Sequence, residues 1–164
     1  MNTMSGNVQV TARGDNEIVV TRAFNAPRAL VYEAMTKPAL LKRWLGVFGG
    51  WSLDECEVDA RMGGRYRYVW KGPNGERMGM GGTYREVVPG ERLVATEQFD
   101  EAWYPGEAVS TTSFTERDGR TTLAMTIVYS SKETRDAVLK TPMAEGMSKG
   151  YDALDALLAS QQAK

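Results

Sequence analysis

The chain has no histidine and a single cysteine, Cys56, among its 164 residues. Without histidine it cannot form Ser–His or Cys–His nucleophilic pairs, a zinc site built on imidazole, or the usual general base that titrates near neutral pH. One cysteine cannot form a disulfide within the chain, which is typical of a reducing cytoplasm. We therefore expect a cytoplasmic protein with no metal and no cofactor, in which any chemistry depends on carboxylates, tyrosines, lysines, arginines or ordered water.

The chain also lacks a charge excess and a long apolar run. It has 20 Lys and Arg residues and 21 Asp and Glu residues, a formal net charge of −1. Proteins that bind nucleic acid through its phosphates normally carry a basic excess, so no nucleic-acid partner is expected. No apolar segment approaches the roughly 20 residues that span a bilayer, so no membrane partner is expected either. Residues 1–16 are interpreted as a loose polar leader, followed by a single domain over 17–160.

The rest of the chain alternates between clear strand and helix signals. β-Branched residues predict a strand at 17–24, and Pro27 and Pro38 begin two short helices, to about 35 and over 38–45. Ser130 and Glu133 fit a capping box for a helix at about 131–140, and an apolar stripe runs along a final helix at 142–160. Between these helices, turn sequences separate predicted strands at 57–61, 65–71, 76–88, 91–99, 107–116 and 121–129. Because the connections are short, neighbouring strands should be antiparallel.

This order, β-α-α-β6-α, predicts an α+β fold. The sheet has one apolar face to cover, and the last helix carries the matching apolar stripe. The simplest arrangement is a curved antiparallel sheet wrapped around the long C-terminal helix, with a cavity between them.

The segment DARMGGRYRYVW, residues 59–70, allows three interpretations. A phosphate loop would need a lysine and a Ser or Thr after its second glycine, whereas Arg65 and Tyr66 follow here. An RNA-binding strand is disfavoured by the charge balance and the order of elements. In the remaining interpretation Gly63 and Gly64 form a tight connection, and period-two alternation puts three aromatic residues on one face, toward the final helix: Tyr66, Tyr68 and Trp70. Core packing and lining of a ligand cavity are equally compatible with that face.

Two acidic positions are notable. Glu97 shares the strand phase of Leu93, Ala95 and Phe99, which would direct a carboxylate into apolar surroundings, where it needs a partner or a raised pKa. The alternative is a bend in the strand that lets Glu97 reach solvent. Asp59, two residues from Arg61 on the predicted strand 57–61, is expected to form a structural ion pair or a cross-strand pair and not to take part in catalysis.

An ordered set of residues over about 22–158 resembles the START-like, helix-grip superfamily, which includes the major birch-pollen allergen. The resemblance is greater to its bacterial branch related to the activator of Hsp90 ATPase. The matching residues are Arg22, Phe24, Ala26-Pro27, Leu30-Val31, Thr36, Pro38, Leu41, Trp44, Asp59, Arg61, Gly63-Gly64, Asn74-Gly75, Gly82, Tyr84, Glu91-Arg92-Leu93, Gly119, Met143, Gly146, Leu154 and Leu157.

The resemblance implies a seven-stranded antiparallel sheet around the final helix, with a cavity between them. Members of the superfamily bind lipids, hormones or polyketides, some cyclise polyketides, and some regulate a chaperone. Three hypotheses follow: binding of a small apolar or aromatic ligand, interaction with an Hsp90-type chaperone, and a cyclase-like enzyme using Glu97. The oligomeric state would be monomer or homodimer. The expected ligand-binding residues are Trp44, Trp51, Tyr66, Tyr68, Trp70, Met80, Tyr84, Glu97, Phe99, Met143, Met147 and Tyr151, with no catalytic residue assigned.

Overall fold

The order of strands and helices agrees with the expectation from residue 17 onward. The computed structural model describes residues 2–5 and 8–163. The strands are β1 (Asn2–Ser5), β2 (Val8–Arg13), β3 (Glu17–Phe24), β4 (Ser52–Val58), β5 (Arg65–Lys71), β6 (Arg77–Val88), β7 (Arg92–Phe99), β8 (Ala108–Arg117) and β9 (Arg120–Val128). The helices are α1 (Arg28–Thr36), α2 (Pro38–Leu41), α3 (Lys132–Leu139) and α4 (Met143–Gln162).

The described strands form one curved sheet in the order β1-β2-β3-β9-β8-β7-β6-β5-β4, antiparallel throughout. From β4 to β9, each strand pairs with the next one in the chain, because short turns connect them. The pairing of β3 with β9 joins the N-terminal strands to this meander. The predicted α+β helix-grip fold is therefore confirmed. The seven strands that the family resemblance implies are β3 to β9, and β1 and β2 are additional strands.

The N-terminal segment is not a loose leader where the structure describes it. Val8–Arg13 forms β2, which pairs with β3, and the Val8 and Val10 side chains are completely buried. The expectation for residues 1–16 is wrong here, because a pattern of only two buried valines in six residues is too short to predict a strand from the sequence. Residues 1, 6 and 7, which belong to the same predicted leader, lie outside the described residues.

A buried arginine on α3 holds the β2–β3 hairpin in place. The Arg135 side chain is only 5% exposed. Its Nη1 donates to the backbone carbonyl oxygens of Glu17 at 2.9 Å and Arg13 at 3.3 Å. Its Nε donates to the carboxylate of Asp136 at 2.9 Å. Because a buried guanidinium needs several acceptors, this contact fixes α3 relative to the hairpin.

The C-terminal half of α4 forms the centre of the core. Leu154, Leu157 and Leu158 are almost fully buried, as the predicted apolar stripe requires. At mid-helix the Tyr151 ring packs edge-on against Phe24 of β3, with ring centroids 5.6 Å apart. The sheet thus grips the C-terminal half of the helix tightly. The N-terminal half of α4 lies over a cavity.

Two local predictions need correction. Asp59 and Arg61 lie in a loop after β4, not on a strand at 57–61, although the expected ion pair forms, with Arg61 Nε 2.8 Å from Asp59 Oδ2. A tight connection occurs at Gly63, whose φ is +84°, and a Cβ at Gly64 would overlap the Asp59 carbonyl oxygen. The α3 cap is Ser131 and not Ser130.

Replacing Arg135 with methionine should destabilise the protein. Arg135→Met removes the donors that reach partly buried carbonyl oxygens of the β2–β3 hairpin, so we expect the free energy of unfolding to fall by about 2 kcal/mol. Urea denaturation measures the change, and Lys132→Met, at an exposed site on the same helix, should alter stability by less than about 0.5 kcal/mol. Equal stability of the two variants would contradict a structural role for this contact.

Candidate functional site

A cavity of about 560 Å³ lies between the sheet and the N-terminal half of α4. Apolar and aromatic side chains dominate its wall. All twelve residues expected from the sequence to bind a ligand line it: Trp44, Trp51, Tyr66, Tyr68, Trp70, Met80, Tyr84, Glu97, Phe99, Met143, Met147 and Tyr151. The structure therefore brings this predicted set into one space.

The aromatic face of β5 forms one wall of the cavity. Tyr66, Tyr68 and Trp70 alternate along the strand, and neighbouring ring centroids are 5.0 and 5.7 Å apart. Met143 and Met147 of α4 line the same cavity. The three aromatic residues thus point toward the helix as the strand period predicts.

The segment that follows α2 closes one end of the cavity. Trp44 Nε1 donates to the Ala34 carbonyl oxygen at 2.9 Å, and Trp70 Nε1 donates to the Leu45 carbonyl oxygen at 2.9 Å. These bonds satisfy both indole N–H groups, so the two rings present apolar surface to the cavity. A Cβ at Gly46 would overlap the Trp70 ring, so glycine is required where this segment crosses β5.

Exposed apolar side chains mark the mouth of the cavity. Phe48, Met78 and Trp103 line the cavity and are 38%, 41% and 51% exposed. They come from the segment after α2, from β6 and from the loop after β7. The mouth is thus apolar and lies where these three elements meet.

Glu97 lies in the middle of a row of paired residues that crosses five neighbouring segments of the sheet, and Glu97 and the tyrosine at each end of the row line the cavity. On one side it pairs with Ala108 of β8, and the β8–β9 register continues to Tyr129. On the other side the β6–β7 register places Gly82 opposite Glu97, and Gly82 pairs with Tyr66 of β5. A tyrosine therefore stands beyond a small residue on each side of the carboxylate.

The small neighbours allow the tyrosine rings to lean toward Glu97. The Tyr66 side chain crosses above Gly82, and its hydroxyl donates to the Thr96 carbonyl oxygen of β7 at 2.6 Å. A Cβ at Gly82 would overlap that same carbonyl oxygen, so the two strands come into close contact only with glycine here. On the other side, the Tyr129 ring packs edge-on against Tyr104 with centroids 5.7 Å apart.

The electrostatics of the cavity are dominated by desolvation. Burial raises the pKa of Glu97, and a hydrogen bond with Ser110 partly opposes that rise. Burial, and then the proximity of Glu97, raise the pKa of Tyr104 to about 12 and raise those of Tyr66 and Tyr129 as well. The tyrosines are therefore neutral hydrogen-bonding groups, and Glu97 is the cavity group that ionises most readily.

A family model described as activator of Hsp90 ATPase homolog 1-like protein matches residues 25–159. The chain belongs to this family. No functionally curated protein matches the chain significantly. The family placement and the helix-grip fold make this a domain of the ligand-binding type.

Solved structures of bacterial proteins share the fold over most of the chain. A Rhodobacter sphaeroides protein is 35% identical, with a TM-score of 0.88 over 94% of this chain and 99% of that one. A Chromobacterium violaceum protein is 30% identical, with a TM-score of 0.75 over 87% and 96%. A Mycobacterium smegmatis protein is 26% identical, with a TM-score of 0.76 over 91% and 96%.

Sequence reasoning missed part of the polar lining in this member of the family. Ser110, Thr112 and Tyr129 line the cavity but were not among the expected site residues. The available signal was that Ser110 and Thr112 lie on the same face of β8 as buried Phe114, since polar residues on an otherwise apolar strand face mark a cavity wall.

Cys56 lies outside the cavity lining, and burial raises the pKa of its thiol to about 11, as expected of an unreactive cysteine.

Among residues 2–5 and 8–163, no three Cys, Asp or Glu side chains are grouped so that they could hold a metal ion. None of the helices in the same ranges is long and apolar enough to cross a membrane.

The β6 glycine opposite Glu97 should be intolerant of alanine. In Gly82→Ala the new methyl group overlaps the Thr96 carbonyl oxygen, so β6 and β7 must separate, and we expect a loss of about 2–3 kcal/mol in unfolding free energy. Gly146→Ala is the matched control, because its Cβ would lie at an ordinary contact distance of 3.5 Å from Phe48 and alanine favours the helix. Thermal denaturation compares the two, and a Gly82→Ala protein as stable as the control would contradict the close approach.

Proposed function

We propose that the protein binds a small, mainly apolar or aromatic molecule in the cavity between the sheet and α4. The observation that carries this proposal is the cavity itself. Its volume of about 560 Å³ falls within the range of about 300–1,000 Å³ that is usual for small-molecule sites. Protein cores are normally filled to the density of organic crystals, so an apolar space of this size is unusual for a core and typical of a ligand site.

The lining supports a ligand with a large apolar body. Aromatic residues and methionines from several elements together make up most of the lining residues. Methionine adapts its shape to irregular ligands, and tyrosine offers a ring face together with a hydroxyl. Burying apolar ligand surface contributes about 25 cal/mol per Å², so affinity comes from the body of the ligand and orientation from a few polar groups.

Filling the cavity from α4 should abolish ligand binding. Gly146 lines the cavity next to Phe48 at the mouth, and Gly146→Phe places a ring in the space. Nile red, a neutral dye that fluoresces in apolar surroundings, is titrated into the native protein and the variant. We expect the affinity to fall by at least about tenfold in Gly146→Phe.

Gly146→Ala serves as the control for this experiment, because it adds one methyl group to the same helix position without filling the space. It should bind Nile red with nearly native affinity. Failure of the native protein to bind the dye, or equal binding by Gly146→Phe and Gly146→Ala, would overturn the cavity-binding proposal.

A second function, regulation of an Hsp90-type chaperone, is favoured only by the family match over residues 25–159. It predicts that adding this protein changes the rate of ATP hydrolysis by an Hsp90-type chaperone in a steady-state assay. Gly146→Phe should have no effect on that change if the contact uses the outer surface. An unchanged rate at a large molar excess of the protein would contradict this second function.

A further inference from the structure

The one carboxylate in the cavity lining lies among rings and hydroxyls and has no cationic neighbour there. Among the described lining residues there is no lysine and no arginine. Glu97 also forms no ion pair with any described residue. Its carboxylate has the Ser110 hydroxyl as a hydrogen-bond partner, so the charged form of Glu97 in these apolar surroundings is favoured by a positive charge brought from outside.

The surroundings of Glu97 favour a positive charge. Tyr66 and Tyr129 stand on either side of it across Gly82 and Ala108, and the Tyr104 ring packs edge-on against Tyr129. The rings of Tyr66, Tyr104 and Tyr129 line the same cavity as the Glu97 carboxylate, and the face of an aromatic ring carries partial negative charge. An organic cation is attracted by both the ring faces and the carboxylate.

We propose that Glu97, Tyr66, Tyr104 and Tyr129 form a subsite for the protonated amino group of an aromatic or apolar amine. This inference rests on the proposed function, because the amine's apolar body would occupy the remainder of the same cavity. Ser110, next to Glu97, supplies a hydroxyl that accepts one of the N–H donors. The ammonium group would be held by charge-assisted hydrogen bonds to the Glu97 carboxylate.

The pH dependence of amine binding has a defined sign. The titratable groups that face Glu97 are all tyrosines: Tyr66 and Tyr68 of β5, Tyr151 of α4, Tyr104 of the loop after β7, and Tyr129, which follows β9. Each of them remains neutral at ordinary pH. Burial raises the pKa of Glu97, so its carboxyl group becomes protonated as the pH falls through that raised value. Amine affinity should therefore be high above this pH and decrease below it.

Three probes with the same naphthyl body separate the effect of charge on affinity from the effect of apolar burial. They are naphthylmethylamine, which is a cation, naphthylmethanol, which is neutral, and naphthoate, which is an anion. Dissociation constants are measured calorimetrically between about pH 5 and about pH 8. At the upper pH we expect the amine to bind about tenfold or more tightly than the alcohol, and naphthoate to bind most weakly. Lowering the pH should weaken the binding of the amine and leave the binding of the alcohol unchanged.

Glu97→Gln removes the charge and keeps the shape of the side chain. It should reduce amine affinity to that of the alcohol, while alcohol affinity changes less than about threefold. Retained alcohol binding shows that the variant is folded with its cavity intact. Glu57→Gln, at an exposed position of β4 outside the cavity, removes the same charge from the protein and should leave the amine preference unchanged.

The outcomes distinguish this inference from the function on which it rests. If the native protein binds the alcohol as tightly as the amine, or if Glu97→Gln keeps the amine preference, the cation subsite is overturned while cavity binding stands. If none of the three probes binds and Nile red does not bind either, the proposed function itself fails. If the amine preference disappears equally in Glu57→Gln, general surface charge and not the subsite is responsible.

Discussion

One long helix must cover the inner face of a sheet that is longer than the packed part of that helix. The C-terminal half of α4 fills the core with Leu154, Leu157 and Leu158, all nearly fully buried. The N-terminal half carries glycines and methionines, which cannot fill the space above β5 to β7. The cavity is thus a consequence of how apolar volume is distributed along a single helix. The fixed position of the buried half keeps the other half in place without close packing beneath it.

Close contact between β6 and β7 explains why β6 contains glycines. The glycines of that strand let Tyr66 extend across it to the Thr96 carbonyl oxygen of β7, at 2.6 Å. A side chain at Gly82 would separate the strands and remove the space through which the ring passes. Glycine weakens a strand by itself, so its presence in the middle of the sheet indicates close backbone contact and not a flexible segment. The position of the Tyr66 ring, and with it one wall of the Glu97 subsite, depends on this contact.

Sequence patterns predicted the features that depend on local periodicity, such as which residues share one face of a strand. The alternation in β5 predicted that Tyr66, Tyr68 and Trp70 share a face, and the phase of β7 predicted Glu97 among apolar neighbours. The N-terminal strand β2 was missed because its stability comes from pairing with β3 and from Arg135, which follows more than a hundred residues later. Neighbours across the sheet, such as Tyr129 beside Glu97, depend on register between strands, which a single sequence does not specify.

The ionisable chemistry in the described lining of the cavity consists of one carboxylate among neutral hydroxyls. Where a general acid and a general base are two different groups, their surroundings usually separate the two pKa values so that one donates and the other accepts a proton near neutral pH. In the described lining, Glu97 is the one acid, and burial raises the pKa values of the tyrosines around it, so none of them is ionised near neutral pH. Histidine is absent from the entire chain. A single carboxylate among neutral hydroxyls is suited to orienting and neutralising a positively charged ligand.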